Sequence, residues 1–177
     1  SYINLSLNLF DMSSFKLYLV HFIFVLLPET RCFALKRVLL RFCGAKIGRN
    51  VRINSSAVFS GSGTLEIGDN TWIGPKCFIY TSSNIKIGSD VNMAPCCVVL
   101  NGSHVIDFDG PSIAGDGITE DVVIADGCWI CTGSTLLGSS VIGRKSIVAA
   151  CSCTKGEYPD YSLIKGLVAK AIPLKRK

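Results

Sequence analysis

The stretch Ile87-Gly88-Ser89-Asp90-Val91-Asn92-Met93 contains the pattern that decides the fold of this chain. An aliphatic residue is followed by a small residue, and the next large apolar residue comes six positions after the first. The same pattern begins at Ile47, Ile67, Ile124 and Ile142. A period of six matches neither the ~3.6 residues of an α-helix nor the ~2 residues of a β-strand. A fixed repeat of this kind is typical of stacked coils.

The spacing of the repeats predicts the size of each coil. Ile47, Ile67 and Ile87 lie twenty residues apart, which predicts coils of three short strands joined by corners. From Ile118 to Val148 the apolar positions follow one another strictly every six residues. We expect each of these anchor residues to point inward, where burial contributes ~1.5–3 kcal/mol per side chain. We expect the small residue after the anchor to turn the corner with a positive φ, and neighbouring coils to pair in parallel.

Two apolar segments precede the repeats. Residues 14–27 predict a helix that ends before Pro28 and is shorter than the ~20 apolar residues that span a membrane. This helix either packs on protein or lies in a membrane interface. Residues 30–43 predict a second helix, capped by Thr30 and ended by Gly44. Its apolar face holds Leu35, Val38, Leu39 and Phe42, and a separate face holds Arg37 and Arg41.

The length of 177 residues suits one domain, and the content of 49% hydrophobic and 18% charged residues excludes global disorder. We divide the chain into an N-terminal helical segment (1–46), a β-helix domain (47–153) and a basic tail (154–177). Residues 105–117 lack the repeat and are rich in Gly and Asp, which predicts a loop that leaves the solenoid. Loops on a rigid scaffold often carry function.

The formal net charge of +5 is unevenly distributed. Residues 31–52 contain seven cations and no acid, and residues 175–177 are all basic. This distribution favours anionic partners, including a membrane surface contacted through the N-terminal segment. No recognition motif accompanies the basic residues, so we expect no nucleic-acid partner.

The spacing of the nine cysteines indicates packing rather than metal binding. Cys77, Cys97 and Cys128 each follow an anchor residue by four positions, where other repeats have small residues such as Ala57 or Ser134. They are therefore predicted to fill small inward positions. The pair Cys128-x-x-Cys131 has no second pair to complete a zinc site, so we expect no metal. Free thiols favour a reducing compartment, and we therefore expect the protein in the cytoplasm, either free or at the inner face of the membrane.

Three segments resemble motifs of a known family. Residues 122–130 read V-V-I-A-D-G-C-W-I, residues 136–143 read L-L-G-S-S-V-I-G, and residues 161–170 read Y-S-L-I-K-G-L-V-A-K. The chain resembles the hexapeptide-repeat acyltransferases over residues 35–175, and most of all the galactoside, maltose and polysaccharide O-acetyltransferases. It departs from their pattern at Ala125, Cys131, Ser139 and Val168.

The resemblance implies a fold and an activity. The fold is an all-β solenoid, a left-handed parallel β-helix. The activity is transfer of an acetyl group from acetyl-CoA to a saccharide hydroxyl, with a surface-polysaccharide precursor as the expected acceptor. The assembly is a homotrimer with active sites between subunits.

The resemblance also implies site residues. His104 aligns with the catalytic histidine and would act as general base, whereas the other histidine, His21, is expected to be packed in the apolar helix. Asn101, Ser103 and Asp107 are candidates to orient the ring of His104. Acceptor binding is assigned to Asn84, Asn101, Ser103 and Asp107, and binding of acetyl-CoA is assigned to Trp129, Thr132, Gly133, Ala149, Ala150, Lys155 and Lys170.

Other functions remain open at the level of the sequence. Residues 81–84 contain no acid, which argues against a galactoside acceptor. A γ-type carbonic anhydrase needs three histidines, and the chain has two. The remaining alternatives are acetyl transfer to an amino sugar or antibiotic, and a β-helix scaffold without catalysis.

Overall fold

The computed structural model describes residues 12–166, which form two helices followed by a parallel β-solenoid of about six turns. The helices are α1 (Ser14–Leu26) and α2 (Phe33–Phe42). The strands, in chain order, are β1 (Lys46–Ile47), β2 (Arg52–Ile53), β3 (Val58–Gly61), β4 (Thr64–Ile67), β5 (Trp72–Ile73), β6 (Phe78–Thr81), β7 (Asn84–Ile87), β8 (Asn92–Met93), β9 (Val98–Leu100), β10 (Gly102–Ile106), β11 (Ala114–Thr119), β12 (Val122–Ile124), β13 (Trp129–Ile130), β14 (Thr135–Leu137), β15 (Val141–Ile142), β16 (Ile147–Val148), β17 (Cys153–Thr154), β18 (Glu157–Tyr158) and β19 (Leu163–Ile164).

The strands of the solenoid form three parallel sheets, one on each face of a triangular prism. Face A contains β1, β4, β7, β12, β15 and β18, and face B contains β2, β5, β8, β13, β16 and β19. Face C contains β3, β6, β9, β14 and β17. Only β10 and β11 stand apart within the described part, as an antiparallel pair. This architecture confirms the predicted left-handed parallel β-helix.

The register of the strands reproduces the repeat of the sequence. Ile47 pairs with Ile67, and Ile67 with Ile87, at the predicted spacing of twenty. Ile87 then pairs with Ile124, because β10 and β11 lie between these coils in sequence, and Ile124 pairs with Ile142. All of these anchors are buried, as predicted, so each coil continues the core of the previous one.

The small inward positions are also confirmed. Cys77, Cys97 and Cys128 are buried, and each thiol contacts a backbone carbonyl of the following coil. The Sγ of Cys128 donates to the carbonyl of Gly143, at 3.0 Å. Burial raises the pKa of the Cys128 thiol. These cysteines therefore act as small apolar residues that also satisfy carbonyl groups between coils.

The corners differ from the prediction. The positive φ belongs to the third residue after an anchor, for example Asn50 (54°) and Asn70 (58°), and not to the glycine that directly follows the anchor. That glycine is required for a different reason, which is close approach of the next coil. A Cβ on Gly48 would lie 2.8 Å from the carbonyl carbon of Gly68. Such a contact is too short for a side chain without a shift of the backbone.

Three boundaries also require correction. The solenoid does not end at Cys153, because β18 and β19 pair with β15 and β16 and continue two faces. Ile118 is not an inward anchor, since it lies exposed in β11 and pairs with Ser103. The segment 105–117 leaves the solenoid as predicted, but its ends are strands of a β-hairpin.

The helix α1 packs against β3 at the N-terminal end of the solenoid. Its buried side consists of Leu17, Val20 and Phe24. His21 is packed here, as expected, because its Nε2 accepts a hydrogen bond from the backbone N–H of Phe59 at 3.0 Å. The imidazole thus satisfies a donor at the open edge of the first coil.

The helix α2 turns its cationic residues toward the solenoid. The ammonium of Lys36 is fully buried and donates to the carbonyls of Pro28, Glu29 and Ile53. Arg37 likewise donates to the carbonyl of Val51. Carbonyls at the first coil have no further coil to pair with, so cationic side chains satisfy them. The predicted cap at Thr30 is wrong, since Cys32 occupies the N-cap position and makes no side-chain capping bond.

Candidate active site

The candidate site lies where a β-hairpin leaves the corner between faces C and A. The strand β10 follows β9 of face C, and β11 leads back to β12 of face A. In this hairpin Ser103 pairs with Ile118, and His104 pairs with Gly117. The N–H of Glu120 donates to the carbonyl of Asn101 and closes the base of the hairpin. His104 is therefore held near the solenoid by a short, hydrogen-bonded arm.

The orientation of His104 is fixed by the opposite strand. Its Nδ1 lies 2.8 Å from the carbonyl oxygen of Gly115. A carbonyl oxygen can only accept, so Nδ1 carries the hydrogen in this contact. In a neutral imidazole the other nitrogen, Nε2, is then the acceptor. The exposed ring therefore presents the nitrogen that a general base requires.

Two of the three residues predicted to orient His104, Asn101 and Asp107, have other partners. The buried amide of Asn101 accepts from the N–H of Ser82 and donates to the hydroxyl of Ser83 and to the carbonyl of Asn84. The carboxylate of Asp107 accepts from two N–H groups at the turn of the hairpin. Both side chains stabilise the backbone, and the carbonyl of Gly115 takes the orienting role.

An open pocket of about 460 Å³ adjoins the imidazole. Face C contributes Tyr80 and Leu100, which are paired in register, together with Ser82 at the corner. The hairpin completes the pocket with Gly102, Ser103, His104, Gly117, Ile118 and Thr119. Tyr80 and Ser82 were not among the residues predicted from the sequence, although the spacing of twenty residues places Tyr80 beside Leu100.

Of the predicted acceptor-binding residues, Ser103 lies in this pocket. Asn84 has a different environment, because its amide donates to Asp121 and accepts from the hydroxyl of Thr64. Asn84 thus belongs to a polar ladder along the coils. Asp121 is the carboxylate in this ladder, and its hydrogen bond from the amide of Asn84 lowers its pKa.

The predicted acetyl-CoA residues lie on the later coils. Thr132 and Gly133 form the corner from face B to face C in one coil, and Ala149 and Ala150 form the same corner in the next. The N–H of Cys151 donates to the carbonyl of Thr132 and joins the two corners. The structure therefore brings these four predicted residues together.

Trp129 lies on face B, with its side chain half exposed (51%). Ile147 and Leu163 follow it in register on the next two coils and are also exposed. Face B does not adjoin the corner that bears the hairpin. Within one copy of the chain, Trp129 and His104 therefore belong to different sides of the prism.

Lys155 lies near the base of the hairpin, with its ammonium 3.5 Å from the carboxylate of Glu120. Lys170 lies outside the described residues. Within residues 12–166, no group of three His, Cys, Asp or Glu side chains is placed to hold a metal ion. The candidate site consists of one exposed histidine and the pocket beside it.

The chain matches no protein-family model and no curated protein sequence. Its structure is similar to that of a hexapeptide-repeat-containing acetyltransferase from Vibrio cholerae in complex with acetyl-CoA, with a TM-score of 0.68 and 22% identity over 83% of this chain and 78% of that chain. It is also similar to a variant of AntD, an N-acyltransferase from Bacillus cereus, in complex with dTDP and coenzyme A. Here the TM-score is 0.58, with 24% identity over 75% and 74% of the two chains.

A third similar structure is the polySia-specific acetyltransferase NeuO, with a TM-score of 0.57 and 19% identity over 72% of this chain and 60% of that chain. At these identities the likeness concerns the fold. The six-residue repeat, the three parallel faces and these neighbours agree, and this chain has the fold of the hexapeptide-repeat acetyltransferases.

Proposed function

We propose that the protein is an acetyl-CoA-dependent O-acetyltransferase that acts on a saccharide hydroxyl, with His104 as its general base. The observation that carries this proposal is the contact of His104 Nδ1 with the carbonyl of Gly115, beside an open pocket. It leaves Nε2 available toward a substrate. The structural neighbours bound to acetyl-CoA or coenzyme A support the same chemistry.

The proposed reaction follows from that nitrogen. Acetyl-CoA supplies the acetyl group as a thioester. Nε2 of His104 takes the proton of the acceptor hydroxyl while the hydroxyl oxygen bonds to the acyl carbon of acetyl-CoA. The carbon–sulfur bond of the thioester then breaks. The imidazolium returns the proton to the departing thiolate. The bond to Gly115 holds the ring in place through both proton transfers.

The lining of the pocket supports a saccharide acceptor. The ring of Tyr80 and the side chain of Leu100 offer an apolar surface for the C–H face of a sugar ring. The hydroxyls of Ser82, Ser103 and Thr119 offer hydrogen bonds to sugar hydroxyls. NeuO, which is polySia-specific, has the same fold, and we propose a surface-polysaccharide precursor as the acceptor class.

We propose that acetyl-CoA binds along the later coils and that the active protein is a homotrimer. The corners at Thr132–Gly133 and Ala149–Ala150 provide small residues where a narrow chain can approach the backbone. Trp129 lies on face B, which does not adjoin the corner that bears the His104 hairpin, so both can serve one site if neighbouring copies supply them. Exposed apolar residues in the hairpin, Val105, Ile106 and Ile113, suit contact with such a neighbour. Lys155 is the described cation that we assign to the nucleotide phosphates.

The nine free thiols are consistent with a cytoplasmic enzyme. A second candidate is N-acetylation of an amino sugar. It is favoured by the likeness to AntD, an N-acyltransferase whose structure has also been solved with dTDP-4-amino-4,6-dideoxyglucose and coenzyme A. The same base would accept a proton from an amine.

Mass spectrometry distinguishes these functions. The protein is incubated with acetyl-CoA and a panel of oligosaccharides, nucleotide sugars and amino sugars, and products that gain one acetyl group are treated with mild base. An O-acetyl ester is cleaved, whereas an N-acetyl amide persists. We expect a base-labile product. Absence of any acetylated product together with no binding of acetyl-CoA in calorimetry would instead indicate a scaffold without catalysis.

A further inference from the structure

The outward sides of α1 and α2 form one apolar surface at the N-terminal end of the solenoid, which we call the helical apolar surface. The side chains that α1 contributes are Phe15, Tyr18, Leu19, Phe22, Val25 and Leu26. The side chains that α2 contributes are Leu35, Val38 and Phe42. The two helices adjoin where the ammonium of Lys16 lies 4.7 Å from the ring centre of Phe42. Large contiguous exposed apolar surfaces mark interaction sites.

The orientation of α2 is imposed by the first coil. Lys36, Arg37 and Arg41 donate to carbonyls at residues 47–53, which have no preceding coil to pair with. Rotating the helix to bury its apolar side would leave these carbonyls without their donors. The apolar residues therefore face outward because the polar ones are needed inside. A helix that is apolar on its exposed side is expected to contact another protein surface or a lipid surface.

The charge around this surface is positive. Residues 12–45 contain five cations and one acid, and since the ammonium of Lys36 is buried, the four remaining cations face one carboxylate. The one carboxylate, Glu29, accepts a hydrogen bond from the hydroxyl of Ser56 on the solenoid. Arg37 and Arg41 are bonded to neutral carbonyls, so their charges are not neutralised by these contacts. Exposed aromatic and aliphatic side chains beside uncompensated cations complement an anionic lipid surface.

We propose that the helical apolar surface docks the protein on an anionic membrane, with α1 and α2 lying in the headgroup region. Among the described residues no helix is long and apolar enough to cross a membrane. In the proposed arrangement the helices lie along the interface, with Lys16 and the exposed Arg31 near the lipid phosphates. This inference is independent of acetyl transfer, because it uses residues that lie outside the His104 pocket.

Vesicle sedimentation of the full chain tests the proposal. We expect binding to vesicles of phosphatidylcholine mixed with phosphatidylglycerol, weaker binding in high salt, and little binding to phosphatidylcholine alone. The double variant Phe22→Glu/Val25→Glu changes side chains that are 68% and 81% exposed, so it should keep the fold, as checked by circular dichroism. It should lower the bound fraction about tenfold. The control Leu163→Glu, at a side chain 62% exposed on β19, should not.

Three outcomes would overturn the proposal. Equal binding to neutral and anionic vesicles would remove the role of the cations. Undiminished binding of the double variant would assign the contact to another region, such as the basic residues 175–177. Absence of vesicle binding, with dissociation of an oligomer by the double variant in analytical ultracentrifugation, would assign the surface to a second copy of the chain.

Discussion

The imidazole of His104 is held by the carbonyl of Gly115, 2.8 Å from Nδ1, across the two strands of one hairpin. This bond fixes which nitrogen of the neutral ring carries the hydrogen, and leaves Nε2 as the acceptor. The partner is a backbone atom, so it does not titrate and sets the tautomer at any pH where the ring is neutral. The hairpin thus positions the proposed base through a backbone carbonyl in place of an acidic side chain.

The position of this carbonyl can be perturbed through Gly115 itself. A Cβ there would lie 2.8 Å from the Cβ of Asp107, so Gly115→Ala should shift the strand and move the carbonyl away from Nδ1. Misplacement of a catalytic group by about 1 Å can cost up to about 100-fold in rate, and we expect a fall in kcat of about tenfold or more. The control Gly117→Ala adds a Cβ with no atom within 4 Å, and it should leave thermal stability unchanged. An unchanged kcat in Gly115→Ala would show that the bond is not needed.

Lys36 should be essential for the stability of the N-terminal end. Its buried ammonium donates to three carbonyls, and Lys36→Met keeps most of the length of the side chain but removes all three bonds. We expect the free energy of unfolding to fall by about 2–4 kcal/mol. Urea unfolding at fixed protein concentration measures this change. The exposed Lys86→Met serves as control and should change stability by less than about 0.5 kcal/mol. Equal effects of the two substitutions would contradict the capping role.

His21 should make stability depend on pH. Burial lowers the pKa of His21, and its Nε2 must stay unprotonated to accept from the N–H of Phe59. On acidification the unfolded chain, with a histidine pKa near ~6.5, therefore binds a proton before the folded protein does. The contribution of His21 to the free energy of unfolding is complete above pH ~6.5 and is lost as the pH falls below this value.

The comparison of the unmodified protein with His21→Gln between pH 7 and pH 5 isolates this effect. The unmodified protein should lose more unfolding free energy than the variant, with a limiting slope of about 1.4 kcal/mol per pH unit. Parallel curves for the two proteins would show that His21 is protonated equally in both states.

Trp129 provides a separate test of the proposed donor site. Its half-exposed ring contributes little to the core, so Trp129→Ala should leave the unfolding free energy nearly unchanged. It should weaken binding of coenzyme A about tenfold, as expected for removal of a large aromatic contact. Isothermal titration calorimetry measures the affinity, and Trp72→Phe on the same face serves as control. Unchanged affinity in Trp129→Ala would place the donor elsewhere.

The sequence predicts those parts of the fold that depend on local periodicity. Anchors such as Ile67 and small positions such as Cys97 recur at fixed spacing, and each lies in the core as expected. The outward orientation of Leu35 and Phe42 could not be predicted in this way. It depends on carbonyls at the edge of the first coil, which accept from Lys36, Arg37 and Arg41 instead of from a preceding coil.

In the candidate site, too, some residues can be predicted from the sequence and others cannot. His104 is recognisable from the sequence because the repeat is lost around it. Its partner Gly115 is not, since a backbone carbonyl has no signature in the sequence and comes into reach only through the register of β10 and β11. Asn101 illustrates the opposite error, because this polar residue near the site is buried and its amide is already hydrogen-bonded to Ser82, Ser83 and Asn84.

The most direct test of the proposed function is single-turnover acetyl transfer by the unmodified protein and by His104→Ala. An acceptor is first identified by the mass-spectrometric panel, and both proteins are compared at saturating acetyl-CoA. His104 is exposed, and within residues 12–166 the hydrogen bond of its ring goes to Gly115 of the same hairpin. The variant should therefore fold normally. We predict that transfer falls by about 100-fold to 10,000-fold with unchanged affinity for coenzyme A. Transfer within about threefold of the unmodified rate would contradict the assignment of His104 as the general base.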